Sequence, residues 1–138
     1  MAYDDKAPTR YEFANTDFGA GADVAFNILG PKGKAGRLYD YGVQNSTEAF
    51  TATTTGPMIS VGSTSDADAY GDDFPLNALA DNHAKTVRQT YLESEAGFAT
   101  YMVSPEIPAD TEVVLTCVGG VDSPTGQAAP FVDIIWQD

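Results

Sequence analysis

Short segments of alternating apolar and polar residues, separated by clusters of glycine, proline, asparagine and aspartate, are the feature that most constrains the fold of this chain. Alternation with a period of two is typical of strands that bury one face, and the clusters are typical of turns. On this pattern strands are predicted at residues 23–29, 37–43, 48–54, 58–61, 86–92, 98–103, 111–118 and 131–137. The sequence therefore predicts an all-β protein.

The number and spacing of these segments favour two packed antiparallel sheets. Eight or nine short strands with at most one short helix are typical of a β-sandwich or small barrel, and we predict a jelly-roll-like sandwich in one domain over residues 18–138. Residues 23–29 and 37–43 are predicted to pair, as are residues 98–103 and 111–118. Residues 74–92 stay open between helix and strand, because they also carry a helical stripe.

The first 17 residues differ from the rest, because their aromatic side chains lie among charges without clean alternation. We predict an extended N-terminal arm over residues 1–17 whose rings are buried against a neighbouring chain, since terminal segments are otherwise poorly ordered. The alternative is an edge strand of the chain's own sandwich.

The charge of the chain is strongly uneven. The net charge is −13, and residues 38–138 hold 15 acidic side chains against only two basic ones, whereas residues 1–37 hold five of each. Such a molecule repels polyanions, so nucleic acid is not an expected partner. The apolar runs are much shorter than the roughly 20 residues that cross a bilayer, so no membrane partner is expected. Residues 1–13 do not resemble a secretory signal, which predicts synthesis in a cytoplasm.

Reactive side chains are few. Cys117 is the single cysteine and lies on the same predicted strand face as Val113 and Leu115, so we interpret it as a buried hydrophobic residue. His83 is the single histidine and lies in a polar stretch, where a surface position is expected. A Ser-His-Asp or Cys-His relay would have to use this one histidine. We predict that the protein is not an enzyme and needs no cofactor.

The densest acidic cluster spans residues 66–73. Its alternating aspartates followed by glycine resemble the start of a calcium-binding loop, but position five is Tyr70 and position twelve is Asn77. An EF-hand is therefore excluded. A solvated acidic loop and a calcium site of another geometry remain as alternatives.

Several segments, taken in order, resemble a known family. They are the strand from Gly36 to Val43, a threonine-rich strand, Val61-Gly62 with its aspartate-rich loop, the stretch from Ile107 to Thr116, and the closing strand from Val132 to Trp136. This order resembles the capsid decoration proteins of tailed bacteriophages, also called cement or head-stabilising proteins. The resemblance covers most of residues 23–138 and implies a β-rich domain that sits as a trimer on the outside of a capsid.

These observations together predict a non-enzymatic virion structural protein that binds and bridges subunits of the major capsid protein as a homotrimer on the capsid exterior. The predicted contact residues are Tyr3, Lys6, Arg10, Tyr11 and Phe13, and a second set in a basic turn is Lys32, Lys34 and Arg37. The alternative is a carbohydrate- or receptor-binding β-sandwich module that uses the acidic cluster with calcium.

Overall fold

The computed structural model describes residues 7–20, 22–52, 54–90 and 95–137. Within them it has ten β-strands, two short α-helices and one 3-10 helix at Phe18–Ala20. The strands are β1 (Thr9–Glu12), β2 (Thr16–Asp17), β3 (Val24–Ile28), β4 (Gly36–Thr51), β5 (Met58–Gly62), β6 (Gly71–Pro75), β7 (Lys85–Thr86), β8 (Glu106–Ile107), β9 (Val113–Val118) and β10 (Thr125–Trp136). The helices are α1 (Val87–Thr90) and α2 (Glu95–Tyr101).

The strands form two sheets in which every pair is antiparallel. The six-stranded sheet has the order β1-β10-β4-β7, with β2 also pairing β10 and β8 also pairing β4, and the four-stranded sheet has the order β3-β9-β5-β6. Leaving out β2 and β8, which lie off the main path of the six-stranded sheet, eight strands divide into two sheets of four, with the first strand beside the last. This is a jelly-roll arrangement. The predicted all-β sandwich is confirmed.

One core lies between the two sheets. Tyr41 and Val43 from β4 and Phe74 from β6 are fully buried, and the Tyr41 and Phe74 rings meet edge to face with centroids 6.1 Å apart. Cys117 on β9 is 2% exposed, as the alternation predicts, and burial raises the pKa of its thiol to about 12. The sulfur therefore packs as a small hydrophobe.

Strand β4 is longer than the sequence predicts. Residues 37–43 and 48–54 were predicted as separate strands because Gln44-Asn45-Ser46 reads as a break, but β4 runs unbroken for 16 residues from Gly36 to Thr51. Asn45 adopts a left-handed backbone with φ of 51°, and the pairing with β10 shifts register there. The predicted turn is thus a bulge, which bends a strand without ending it.

One predicted strand, at residues 98–103, and two predicted pairings are wrong, and the segment at residues 74–92, left open between helix and strand, contains α1. Residues 87–90 and 95–101 are helical, and Phe98 and Tyr101, three residues apart on α2, both pack against the core. Tertiary packing overrides the β-propensity of this segment. Neither predicted hairpin forms, because β3 pairs with β9 whereas β4 pairs with β10, in the other sheet. The expected single helix becomes two.

The predicted N-terminal arm belongs to the sandwich from residue 9 onward. Thr9–Glu12 pairs with β10 as an edge strand, and Thr16–Asp17 pairs with β10 farther along. The edge strand that the sequence left as an alternative is therefore present. Among the described residues, no helix is long and apolar enough to cross a membrane.

Candidate interaction surface

One edge strand of each sheet, β1 in the six-stranded sheet and β3 in the four-stranded sheet, lies on the same lateral side of the sandwich. Phe13, which follows β1, stacks on Phe26 of β3 with centroids 4.5 Å apart and planes 19° from parallel. We call this the β1–β3 side, and it comprises β1 with Phe13, β3 and the turn at residues 29–35. We add Arg37 to it because this residue lies at the start of β4, directly after the turn, although its side chain reaches Glu106 of β8. This side contains six of the eight predicted contact residues.

Trp136 joins the two groups of predicted contact residues. Its indole Nε1 donates a hydrogen bond of 2.9 Å to the hydroxyl of Tyr11. The other edge of the ring lies against the backbone of Gly30 and Gly36, where an added Cβ would come within 2.2 Å and 2.7 Å of ring atoms. Only glycine allows this approach, so the basic turn is seated on the indole.

Arg10 is bonded within its own chain. Its Nε and Nη2 atoms donate to the two carboxylate oxygens of Asp133 at 2.8 Å and 2.9 Å, a bidentate pair. The guanidinium also lies 4.1 Å from the ring centroid of Phe131. Hydrogen bonding to Asp133 raises the pKa of Arg10. This side chain attaches β1 to β10.

Asp133 faces a second buried carboxylate across the sheet. Asp40 on β4 is its register partner, and the two residues are 6% (Asp40) and 4% (Asp133) exposed. Asp40 accepts hydrogen bonds of 2.9 Å from the backbone N–H groups of Tyr41 and Arg88. Burial raises the pKa of Asp40, and these hydrogen bonds oppose the rise. Hydrogen-bond donors to this pair come from β1, β4 and α1.

The basic turn after β3 is fixed by hydrogen bonds to Asp110 and within the turn. The backbone N–H of Gly33 donates to Asp110 Oδ1 at 2.8 Å, and the N–H of Lys34 donates to the Pro31 carbonyl at 3.2 Å. Lys32 is exposed, and Arg37 lies 3.6 Å from Glu106 with both side chains more than half exposed. The cationic groups of this turn therefore reach the surface.

The predicted contact residues differ in solvent exposure. Tyr3 and Lys6 lie outside the described residues. Tyr11 and Phe13 are half-buried and pack against the core, and Arg10 is bonded to Asp133. Lys32 and Arg37 remain exposed, whereas Lys34 is half-buried.

Sequence reasoning missed the two side chains that organise this surface, Trp136 and Asp133. Trp136 was predicted only as a core residue of the last strand, and Asp133 received no role. The available signal for Asp133 was its position as a charged residue inside an otherwise apolar strand. A charge in such a place needs a partner, and Arg10 is far away in sequence.

A second cluster lies where the loop between β5 and β6 meets β6, with Asp68 in the loop and Asp72 and Asp73 on the strand. Carboxylate oxygens of Asp68, Asp72 and Asp73 all lie within 4.8 Å of one another. Hydrogen bonding between the Asp66 and Asp68 side chains raises the pKa of Asp68, and burial raises that of Asp73. Oxygen ligands at this spacing suit a hard cation such as calcium. The acidic segment singled out in the sequence thus brings three carboxylates together.

The single histidine and the single cysteine lie in local structural contacts. His83 is exposed, and its Nδ1 lies 2.7 Å from the carbonyl of Asp81. Its backbone N–H donates to Ser46 Oγ at 2.9 Å, so the segment is tied to β4. Cys117 is buried with a raised pKa, which keeps the thiol protonated near neutral pH.

Comparison with known proteins gives no relative. No protein-family model, no curated protein and no solved structure matches this chain.

Proposed function

We propose that this protein is a non-enzymatic virion structural protein that decorates the exterior of a capsid and stabilises it by binding and bridging subunits of the major capsid protein. It would be made in the cytoplasm of the host and act through adhesion. The β1–β3 side is the surface that we assign to the coat contact. The resemblance in the sequence motivates this assignment, and the charge distribution and the architecture of the molecule support it.

The distribution of basic groups is the observation that carries the proposal. Of the six lysines and arginines in the described residues, Arg10, Lys32, Lys34 and Arg37 belong to the β1–β3 side, although the chain as a whole has a net charge of −13. A strongly acidic protein approaches a neighbour most easily through its least acidic side, because complementary potentials steer the encounter. The remaining surface repels other copies and keeps the protein dissolved at high copy number.

The architecture is compatible with this role. Jelly rolls occur in viral capsid domains and also in lectins, so the fold supports a structural protein and a carbohydrate-binding protein alike. Fold alone does not assign function, and the site must decide. On this chain the buried thiol of Cys117 and the paired carboxylates of Asp40 and Asp133 serve the core and the sheet.

The proposal is tested with capsids assembled without this protein. Purified protein should co-sediment with them, and the double variant Lys32→Gln/Arg37→Gln should bind about tenfold more weakly, because it removes exposed cations from the contact. The matched control is Gln89→Glu/Thr90→Glu, which changes the net charge equally at exposed positions of α1. Helix α1 follows β7, which lies at the other edge of the six-stranded sheet.

The possible results separate a specific contact from bulk charge. Normal binding by the control together with weak binding by Lys32→Gln/Arg37→Gln supports the assigned side. Equal losses in both variants would show that only the net charge matters. Absence of co-sedimentation by the wild-type protein would overturn the proposed function.

One observation favours a second candidate function. The three convergent carboxylates of Asp68, Asp72 and Asp73 could hold a calcium ion in a carbohydrate- or receptor-binding module. A cation bound there would stabilise the folded state by mass action, which a melting curve detects. Calcium without effect on the melting temperature would leave the structural role as the better assignment.

A further inference from the structure

The open edge of the four-stranded sheet differs from the other edges of the sandwich. Natural sheets protect their edge strands from pairing with other chains by charges, prolines or shortness. β1 carries Arg10 and Glu12, β6 carries Asp72 and Asp73, and β7 is two residues long with Lys85. β3 has five residues, with neither charge nor proline among them. Among the described strands, β3 is the unprotected edge.

The side chains of β3 are arranged as in a strand that accepts a partner. Ala25 and Asn27 are exposed on its outer face, whereas Phe26 and Ile28 pack toward the core. Leu29, directly after the strand, keeps 68% of its surface exposed, the most among the large hydrophobic side chains of the described residues that stay exposed. The strand thus offers small side chains, an apolar end and a free edge.

We propose that two copies of this chain pair along β3, antiparallel and about a two-fold axis, in a register centred on Phe26. In this register Ala25 of each copy lies opposite Asn27 of the other, and Asp23 lies opposite Leu29. The same strand serves both partners, as an isologous contact requires. The result is one continuous eight-stranded sheet built from two four-stranded sheets.

Charge selects a second copy as the occupant. β3 begins directly after Asp23 and is followed by the turn that carries Lys32. Antiparallel pairing therefore brings the acidic start of each strand toward the basic turn of the other, at both ends of the contact. Away from this uncharged strand, two molecules of net charge −13 repel each other, so the self-contact is most favourable here.

The contact is small, and the dimer should be weak. A pair of five-residue strands with their flanking turns falls at or below the low end of specific interfaces, about 1,200 Å² in total. We expect a dimer that forms in the micromolar range or above. This two-fold symmetry differs from the trimer that the resemblance implies, and a mass measurement separates the two.

The experiment measures mass by sedimentation equilibrium between about 1 µM and about 300 µM protein. It compares the wild type with Ala25→Lys/Asn27→Lys and Ala25→Lys/Asn27→Glu. In the proposed register the first variant places lysine opposite lysine twice, whereas the second places lysine opposite glutamate twice. Both variants change the same two exposed positions, and thermal melts verify that both fold.

The wild type should approach the mass of a dimer as concentration rises. Ala25→Lys/Asn27→Lys should raise the dissociation constant by about tenfold or more, although it makes the protein less acidic and so lowers the general repulsion. Ala25→Lys/Asn27→Glu should dimerise at least as well as the wild type. A monomeric or trimeric wild type overturns the proposal, and so do equal dissociation constants for the two variants. β3 also belongs to the side assigned to the coat contact, so the dimer is a state of the protein away from the capsid and competes with coat binding. None of these measurements involves a capsid, so the proposed function is judged separately.

Discussion

Aspartates lie in two opposite electrostatic settings in this protein. On the six-stranded sheet, Asp40 and Asp133 are almost fully buried, yet Asp133 binds Arg10 bidentately and Asp40 accepts two backbone N–H groups. In the loop between β5 and β6, Asp68 and its neighbours face one another without a lysine or arginine described beside them. The chain itself supplies hydrogen-bond donors to the first pair, whereas in the second cluster, among the described residues, Asp68 shares a hydrogen bond with another carboxylate.

The difference shows that the role of an aspartate here depends on the hydrogen-bond donors around it more than on the number of neighbouring carboxylates. A buried carboxylate costs several kcal/mol unless donors replace its water, and Asp133 receives them from the chain's N-terminal strand. The side-chain hydrogen bond between Asp66 and Asp68 raises the pKa of Asp68, and the charges of Asp66, Asp73 and Asp72 add to the rise. One region is structural, and the other could accept a cation.

The largest effect is expected when Arg10 is removed. Arg10→Ala leaves Asp133 buried and unpaired next to Asp40, which should lower the free energy of unfolding by about 2 to 3 kcal/mol in urea denaturation. The loss is below that of a fully buried pair because the Arg10 side chain is 42% exposed. Asp133→Asn in the same background should recover part of it, since the unpaired charge disappears.

The control for this change is Arg37→Ala. Its ion pair with Glu106 is 3.6 Å long and exposed on both sides, so the free energy of unfolding should change by less than about 0.5 kcal/mol. Equal losses for Arg10→Ala and Arg37→Ala would contradict the structural role that we assign to the Arg10–Asp133 pair.

A smaller effect is expected from the pH dependence of Asp40. Burial raises its folded pKa above 3.8, so its contribution to stability is most favourable below that pH and is lost as the pH rises through the folded pKa. Asp40→Asn keeps an acceptor oxygen but does not titrate. The stability of the wild type relative to this variant should therefore fall between about pH 4 and about pH 7 in urea denaturation. A constant or rising difference would show that Asp40 is not penalised by burial.

The smallest effect is expected in the acidic loop. Asp68→Asn should raise the free energy of unfolding by about 0.5 kcal/mol or less, because it relieves repulsion between exposed carboxylates. Thermal melts with calcium and then with chelator extend the comparison. If the loop binds the ion, millimolar calcium stabilises the wild type more than Asp68→Asn and reverses their order. If the order stays the same in calcium, the second candidate function loses its support.

Local pattern was a reliable guide where one strand face is uniformly apolar. The strands around Phe26, Leu115 and Ile134 lie where alternation predicts them, and the burial of Cys117 follows from the same periodicity. It failed at residues 98–103, where an apolar and β-prone stretch forms α2 because Phe98 and Tyr101 find core contacts at helical spacing. It also failed at Asn45, where turn residues produce a bulge instead of a turn.

The candidate surface was predictable only in part. The basic turn at Lys32 and the acidic cluster at residues 66–73 are contiguous in sequence, so composition reveals them. The role of Trp136 could not be predicted, because its contacts with Tyr11 and Gly30 join segments that are distant along the chain. The ion pair of Arg10 with Asp133 could not be predicted either, because the two residues are distant in sequence; the contact of Arg10 with another protein stays a prediction.

The sequence by itself determined the all-β class, the placement of β3, β4, β5, β9 and β10, and the acidic character, because these follow from local periodicity and from charges that are simply counted. Only the tertiary structure decided which strands pair, that residues 9–12 close the six-stranded sheet, and that β3 is left with a free edge. The physical reason is that strand pairing depends on partners far apart in the chain. A buried charge such as Asp133 selects its partner through space.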